Sequence, residues 1–291
     1  MAMALRLSWD GERELPAHLL SVAASHANVG LGKEAARHLV RLGASKVIIA
    51  VRSIAKGEAA AADIVASCAV PASTVEVWQL DLSNYANVRE FAERAQRLDR
   101  LDAVIQNAGI MTSDFKVVEG QESHIVVNVI AATLLGVLLL PKLQESARKT
   151  GMRGRIAFVG SDLQYVAKFP EAQREGNLMD MLREEKTARA NIGDRYALSK
   201  LLLLYNVREL AARNPLGPES NVIIDYLTPG ACKSDLFRDD QGFISRIIMA
   251  FAMQVFARTT EVGSRTLVHG VSPELDEDAH GAFIMDCKIA A

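Results

Sequence analysis

Short, continuously apolar runs rich in β-branched residues alternate along this chain with longer segments whose apolar positions recur every three to four residues. The runs read as buried strands and the longer segments as helices. The first predicted strand is Leu19-Leu20-Ser21-Val22-Ala23, followed by a glycine-containing turn and an amphipathic helix from Lys33 to Leu42 that Gly43 ends. Strands are expected at Lys46 to Val51, Val75 to Leu80 and Leu101 to Gln106, with helices at Ala55 to Cys68 and Ala86 to Arg97 between them. A long apolar helix from Ile125 to Leu140 precedes a fifth strand, Arg155 to Val159. Tyr196 to Arg213 reads as a helix, Asn221 to Leu227 as a sixth strand, Glu261 to His269 as a helix and Gly281 to Met285 as a last strand.

Strands apolar on both sides, separated by helices, imply a parallel sheet covered on both faces. The expected fold class is therefore α/β: a doubly wound Rossmann fold with a mostly parallel seven-stranded sheet. No repeat, low-complexity tract or linker splits the chain, so residues 1–291 are expected to form a single domain. In such a sheet the ligand sits beyond the carboxyl ends of the strands, and chemistry is sought there.

Composition narrows the function. The 291 residues carry 33 Lys+Arg against 35 Asp+Glu, a net charge of −2, without the basic surplus of a nucleic-acid binder. Hydrophobic residues at 49% and charged residues at 23% are a globular balance. Met1 to Leu15 has no signal-peptide core, and the apolar stretch Ile125 to Leu140, interrupted by Asn128 and Thr133, falls short of the roughly 20 residues of a membrane span. Cys68, Cys232 and Cys287 are odd in number and widely spaced, so a reducing, cytoplasmic compartment is expected. His18, His38, His124, His269 and His280 show no metal-ligand spacing, and no metal is expected.

Three patterns carry chemistry. Ser25-His26-Ala27-Asn28-Val29-Gly30-Leu31-Gly32 joins the first strand to its helix; glycines there let the backbone approach a pyrophosphate received by the helix N-terminus, although the same spacing also serves as plain turn chemistry. Arg52 follows the second strand where an NAD-preferring site usually has a carboxylate; a guanidinium there suits the 2′-phosphate of NADP(H), the alternative being a solvated surface arginine. Tyr196 and Lys200, one helical turn apart, share a face. A phenol with a pKa near 10 is about 0.1% ionised at neutral pH, and bringing it to a proton shuttle's range takes roughly 4 kcal/mol. A neighbouring ammonium is a source of that stabilisation, while a chance surface pair is the plainer account.

Taken in order, Gly30 and Gly32, Asp81-Leu82, Asn107-Ala108-Gly109, Asn128, Ser161, Tyr196-x-x-x-Lys200 and Pro229-Gly230 resemble the short-chain dehydrogenase/reductase family over residues 18 to 286. Lys33-Glu34-Ala35-Ala36-Arg37 and the ending from His280 to Lys288 are most similar to the retinol-dehydrogenase-like and fungal secondary-metabolite branch. The resemblance implies that Tyr196 exchanges a proton with the substrate oxygen, that Lys200 lowers the phenol's pKa and holds the nicotinamide ribose, that Ser161 hydrogen-bonds the carbonyl oxygen, and that Asn128 maintains a water relay. It implies NADP(H) as cofactor, held by Ser25, Asn28, Gly30, Leu31, Gly32, Arg52, Asp81, Leu82, Asn107, Ala108, Gly109, Tyr196, Lys200, Pro229, Gly230, Cys232 and Ser234. It also implies a homodimer formed through the two long apolar helices, a buried helix within one subunit being the competing account.

Two departures matter. The family's turn normally reads Thr-Gly-x-x-x-Gly-x-Gly, whereas Ser25 and His26 occupy its first two positions; histidine tolerates positive φ, so the expectation is that the imidazole folds over the ribose or 2′-phosphate. Ser161 and Tyr196 stand far apart, separated by an insert over 162–194 in which Met181 to Arg195 reads as a solvated helix and Leu163 to Val166 as pocket lining. Residues 235–257, dense in Phe, Ile and Met, read as a substrate lid or an ordinary packing helix, and a lid would imply a lipophilic substrate such as a polyketide, terpenoid or steroid-like molecule. The leading expectation is thus an NADP(H)-dependent enzyme interconverting a carbonyl and an alcohol. The alternatives are a non-redox dehydratase, isomerase or cyclase on the same scaffold, motivated by His26, and a binding protein that has lost turnover.

Overall fold

The computed structural model describes residues 21–25, 27–218, 220–233 and 257–290. β1 (Ser21–Ser25) leads into α1 (Gly30–Arg41), β2 (Lys46–Val51) into α2 (Ile54–Cys68) and β3 (Val75–Gln79) into α3 (Tyr85–Gln96). β4 (Ala103–Gln106) is followed by a small ribbon of β5 (Val117–Val118) and β6 (Gln121–Glu122). Next comes a long helix whose first seven residues, Ile125–Ala131, are π-helical and continue as α4 (Ala132–Thr150). The second half holds β7 (Gly154–Val159), α5 (Leu178–Arg183), α6 (Glu185–Ala190), α7 (Ile192–Arg213), β8 (Val222–Thr228), α8 (Thr260–Gly270), β9 (Phe283–Met285) and β10 (Lys288–Ile289).

The main sheet runs β3-β2-β1-β4-β7-β8-β9-β10. All neighbours are parallel except the last pair, Lys288 to Ile289 against β9, an eighth short strand that its two residues do not announce in the sequence. Alternation along the strands assigns the two cores. Ile48 and Ala50 of β2 face a layer of α3, α4 and α7 with Phe91, Leu135, Leu139 and Leu203, whereas Val47 and Ile49 face α1, α2 and α8 with Leu39, Ile64 and Leu267. Each such side chain, fully buried, contributes about 1.5–3 kcal/mol, so a sheet buried on both faces needs no staple.

Strand order reverses between β1 and β4, which opens a crevice at their carboxyl ends. The apolar helix is longer than its pattern suggested: Ile125 to Thr150 is 26 residues, long and apolar enough to cross a membrane, yet 67% of its most apolar stretch is buried within this chain. Packing against α3, α7 and β7 accounts for that composition.

Asp225 lies on β8 under α8, fully buried, with neither carboxylate oxygen hydrogen-bonded among the described residues. The nearby Arg155 spends its guanidinium on the carbonyls of Leu275 (3.1 Å) and Pro273 (2.8 Å). Burial therefore outweighs the attraction of Arg155 and raises the Asp225 pKa well above 3.8. A folded-state pKa above the unfolded value means that the folded chain holds the extra proton; its stabilisation is complete below the unfolded pKa and lost as pH rises through the folded one. Asp225→Asn is expected to flatten the decline in thermal stability over the pH range above the ordinary carboxylate pKa. A variant whose melting temperature tracks the wild type across that range contradicts this.

Candidate active site

The end of β1 is stitched to the loop after β4. Ser25 Oγ accepts the Ala108 N–H (2.9 Å), and Asn107 Nδ2 donates to the Ser25 carbonyl (3.3 Å). Ser25 and Asn107 thus hold the two walls of the crevice in register. After the turn, Gly30 has φ +58°, a value glycine adopts freely, and a Cβ there would stand in open space. α1 starts at Gly30, earlier than the apolar pattern suggested, with no side-chain cap and no acidic residue in its first turn. Its free N–H groups and positive dipole end are left for an anion.

A narrow cleft, partly open to solvent, lies at the end of β1. Six of the sequence candidates line it: Ser25, Arg52, Asp81, Leu82, Ala108 and Gly109. Ser83, Ile110 and Val127 line it too and carried no sequence signal. Asp81 braces the rim, its Oδ1 accepting from the Ser83 N–H (2.9 Å) and hydroxyl (2.6 Å). Arg52 is exposed, and no carboxylate pairs with it among the described residues.

Deeper in, α7 brings its first turns against the end of β7. Lys200, 3% exposed, donates from Nζ to the Val159 carbonyl (2.7 Å), and Nζ lies 5.7 Å from the centre of the Tyr196 ring. The Tyr196 phenol hydrogen-bonds the Ser161 side chain, whose Oγ also caps Leu163 N–H (3.3 Å). Asn128, in the π-helical turns, accepts from Ile110 N–H (2.8 Å) and donates to the Ile110 carbonyl (2.9 Å) and to Ser199 Oγ (2.9 Å). A Cβ on Gly109 would sit 3.4 Å from both Asn128 Oδ1 and Lys200 Nζ, which puts those two groups at one spot beneath the cleft. Ser199, whose hydroxyl donates to the Tyr196 carbonyl (2.7 Å), completes the group and was not singled out by its place in the sequence.

Comparison with known proteins shows the family. The family model for short chain dehydrogenase matches residues 24–171. Short chain dehydrogenase/reductase dmxR8 of Cryptosporiopsis sp. is 41% identical over 271 residues, 92% of this chain and 82% of that protein. The chain belongs to the short-chain dehydrogenase family. Short chain dehydrogenase atnD of Emericella nidulans is 40% identical over 89% of this chain and 81% of its own length. Among solved structures, a short-chain dehydrogenase from Sphingobium yanoikuyae in complex with NADPH superimposes with a TM-score of 0.65 at 19% identity, covering 92% of this chain and 87% of that one. A Burkholderia cenocepacia short chain dehydrogenase in complex with NADP gives 0.64 at 21%, covering 94% and 97%.

The Pro-Gly segment of this short-chain dehydrogenase lies near the turn before α1. Gly230 has φ +71°, and Cys232, 4% exposed, directs its thiol at the Pro229 carbonyl (3.4 Å). A Cβ on Gly263 of α8 would collide with Cys232 Sγ and with Leu31, so sulfur and turn residue bracket that helix. Burial pushes the Cys232 thiol up to about 11, so it packs here as a neutral side chain. Asn28 lies within the turn itself. His26, Ser234 and all of the lid over 235–257 except Ala257 lie outside the described residues.

Electrostatics overturn one expectation. Lys200 does not hold the Tyr196 phenol down; burial raises Tyr196 to about 12, against a smaller opposing pull from its Ser161 hydrogen bond. The ammonium is engaged by the Val159 carbonyl, and burial is the larger influence on the phenol. Lys200 is itself lowered to about 8 by burial.

The insert also corrects the sequence reading. Met181 to Arg195 is not one solvated helix: α5 and α6 break at Glu184, and Arg195 belongs to α7. Arg195 is 1% exposed, with Nη2 2.8 Å from Oε1 of the fully buried Glu171, although neither group is aligned for a hydrogen bond. This pair anchors the insert to the turn of α7 that carries Tyr196. Removing one partner strands a buried charge, so Arg195→Met is expected to cost about 3–5 kcal/mol in urea unfolding, and Arg195→Met with Glu171→Leu to recover most of it. A single-variant loss below about 1 kcal/mol contradicts the buried pair.

Proposed function

We propose that this chain is an NADP(H)-dependent oxidoreductase that interconverts a carbonyl and an alcohol on a lipophilic small molecule of polyketide, terpenoid or steroid-like character, in secondary metabolism. The observation that carries this reading is the convergence of Tyr196, Ser161, Asn128 and Lys200 beside a cleft that also holds Arg52. The chain's own residues fit the cofactor: the uncapped start of α1 suits a pyrophosphate, Arg52 suits a 2′-phosphate, and the Lys200 ammonium suits ribose hydroxyls. NADPH in the Sphingobium yanoikuyae relative supports the same assignment. When bound, NADP(H) supplies or receives the hydride.

The protein's part is positioning and proton transfer. The Ser161 and Tyr196 hydroxyls lie together, and each has one O–H that it can turn from the other to a substrate carbonyl oxygen. Burial keeps the Tyr196 phenol protonated at neutral pH, so it stands as the donor toward that oxygen. Leu163, Tyr165 and Val166, directly after Ser161, are exposed at 37%, 64% and 66%; this apolar rim supports a lipophilic substrate. Exposed Val137 on α4 and Tyr205 on α7 support a homodimer through those helices, and the free thiols of Cys68, Cys232 and Cys287 support a reducing, cytoplasmic setting.

Fluorescence titration tests the cofactor. Arg52→Ala is expected to weaken NADPH binding about ten- to a hundredfold and to leave NADH within about twofold. Equal affinity of the wild type for both cofactors contradicts the assignment. For the chemistry, Tyr196→Phe is expected to lower NADPH-dependent ketone reduction by about 10²- to 10⁴-fold with NADPH affinity kept; turnover near the wild-type rate contradicts it.

A further inference from the structure

Tyr226, in the middle of β8, is fully buried, and the fold requirement that apolar residues fill this core does not explain its hydroxyl. Two bonds do. The phenol donates to the Lys200 carbonyl (2.9 Å) and accepts the backbone N–H of Ser161 (3.3 Å). The direction is fixed by chemistry, because a carbonyl only accepts and an amide N–H only donates. One oxygen therefore ties Ser161, two residues past β7, to the middle of α7, and both ends of the tie belong to the proposed catalytic group. The Ser161 amide has no other hydrogen bond among the described residues.

The backbone around it is shaped for this phenol. Gly160 has no side chain, and a Cβ there would run into the Cζ, Cε1 and hydroxyl atoms of Tyr226. Its own N–H donates to Leu227 (2.6 Å), so the glycine cannot draw back from the ring without breaking that bond. Lys200 Nζ closes the circuit by donating to Val159, the residue before Gly160 (2.7 Å). Phe283 supports the ring from β9, with centroids 5.5 Å apart. Burial raises the phenol's pKa far above its ordinary value, so Tyr226 stays a neutral hydrogen-bonding group and takes no part in proton transfer.

We propose that Tyr226 is a positioning residue for the reaction, a hydroxyl strut that fixes Ser161 relative to the helix carrying Tyr196 and Lys200, accommodated by the absence of a side chain at residue 160. The proposal rests on the catalytic roles argued above for Ser161 and Tyr196. Two donors that converge on one oxygen lose rate quickly when their separation drifts, since the catalytic advantage lies in prior alignment. The strut sets that separation through the backbone, and the Ser161–Tyr196 hydrogen bond reports whether it is held.

The test compares Tyr226→Phe, Phe283→Leu and Tyr196→Phe in the full chain, using NADPH and 9,10-phenanthrenequinone as the probe pair. Tyr226→Phe is expected to lower kcat per folded site about tenfold, about 1.4 kcal/mol of barrier, with KM for NADPH within about twofold. Phe283→Leu loosens the same core without removing the hydroxyl and is expected to lower thermal stability while keeping kcat. Amide hydrogen exchange gives a second readout: the Ser161 N–H is expected to be protected in the wild type like the amides of β7, and to exchange about tenfold faster in Tyr226→Phe. Tyr226→Phe at the wild-type kcat beside an inactive Tyr196→Phe overturns the strut alone, as does a Phe283→Leu kcat reduced as much as that of Tyr226→Phe. A Ser161 amide that exchanges freely in the wild type overturns it without any variant. Tyr196→Phe with undiminished turnover overturns the functional reading instead.

Discussion

The buried ammonium of Lys200 is the constraint around which the site is organised. Taking a lysine out of water is costly unless its donors are satisfied, and a single backbone carbonyl, that of Val159, takes one of its three at 2.7 Å. Everything nearby makes room for it: Gly109 has no side chain, Asn128 is clamped to Ile110 by two bonds, and Ser199 ties Asn128 to the helix that bears both Lys200 and Tyr196. Once that amine is held at the end of β7, the phenol one turn earlier must face Ser161. The two remaining donors of the ammonium point the site toward a polar ligand.

Topology supplies the other half. Parallel strands end together on one edge, and the reversal of order between β1 and β4 parts the loops that follow them. Ser25 closes the base of that gap by pairing with the Asn107-Ala108 segment, so the gap becomes a cleft of defined width. Arg52 lines the cleft from the end of β2, and the uncapped start of α1 follows Ser25, which lines it from β1. In the proposed reading the first half of the chain receives the dinucleotide, while β7 and α7 position Ser161, Tyr196 and Lys200.

Much of this was legible in the sequence, and the reasons for the rest are local. β2 was read to the residue because Lys46 to Val51 is a continuous apolar run between turn signals, and α1 was placed late because Gly30 and Gly32 lack the apolar period that marks a helix. Lys288 to Ile289 is too short to register as a strand, and it pairs only because β9 folds back beside it. Arg195 looked solvated because charged neighbours surround it in sequence; its burial depends on Glu171, which lies 24 positions earlier. The Tyr196-x-x-x-Lys200 spacing was read correctly as a shared face, but the sign of the phenol's shift was not, since burial and the Val159 carbonyl are tertiary facts. Gly160 and Tyr226 stand 66 positions apart, and no single-sequence signal couples them.

The most direct check on the account is a crystal structure of the protein grown with NADP⁺. The account predicts the 2′-phosphate against the Arg52 guanidinium, the pyrophosphate over the first turn of α1, and the nicotinamide ribose hydroxyls within hydrogen-bond reach of Lys200 Nζ and the Tyr196 oxygen. A dinucleotide bound elsewhere, or one seated in the cleft with Lys200 still out of reach of its ribose, would contradict it.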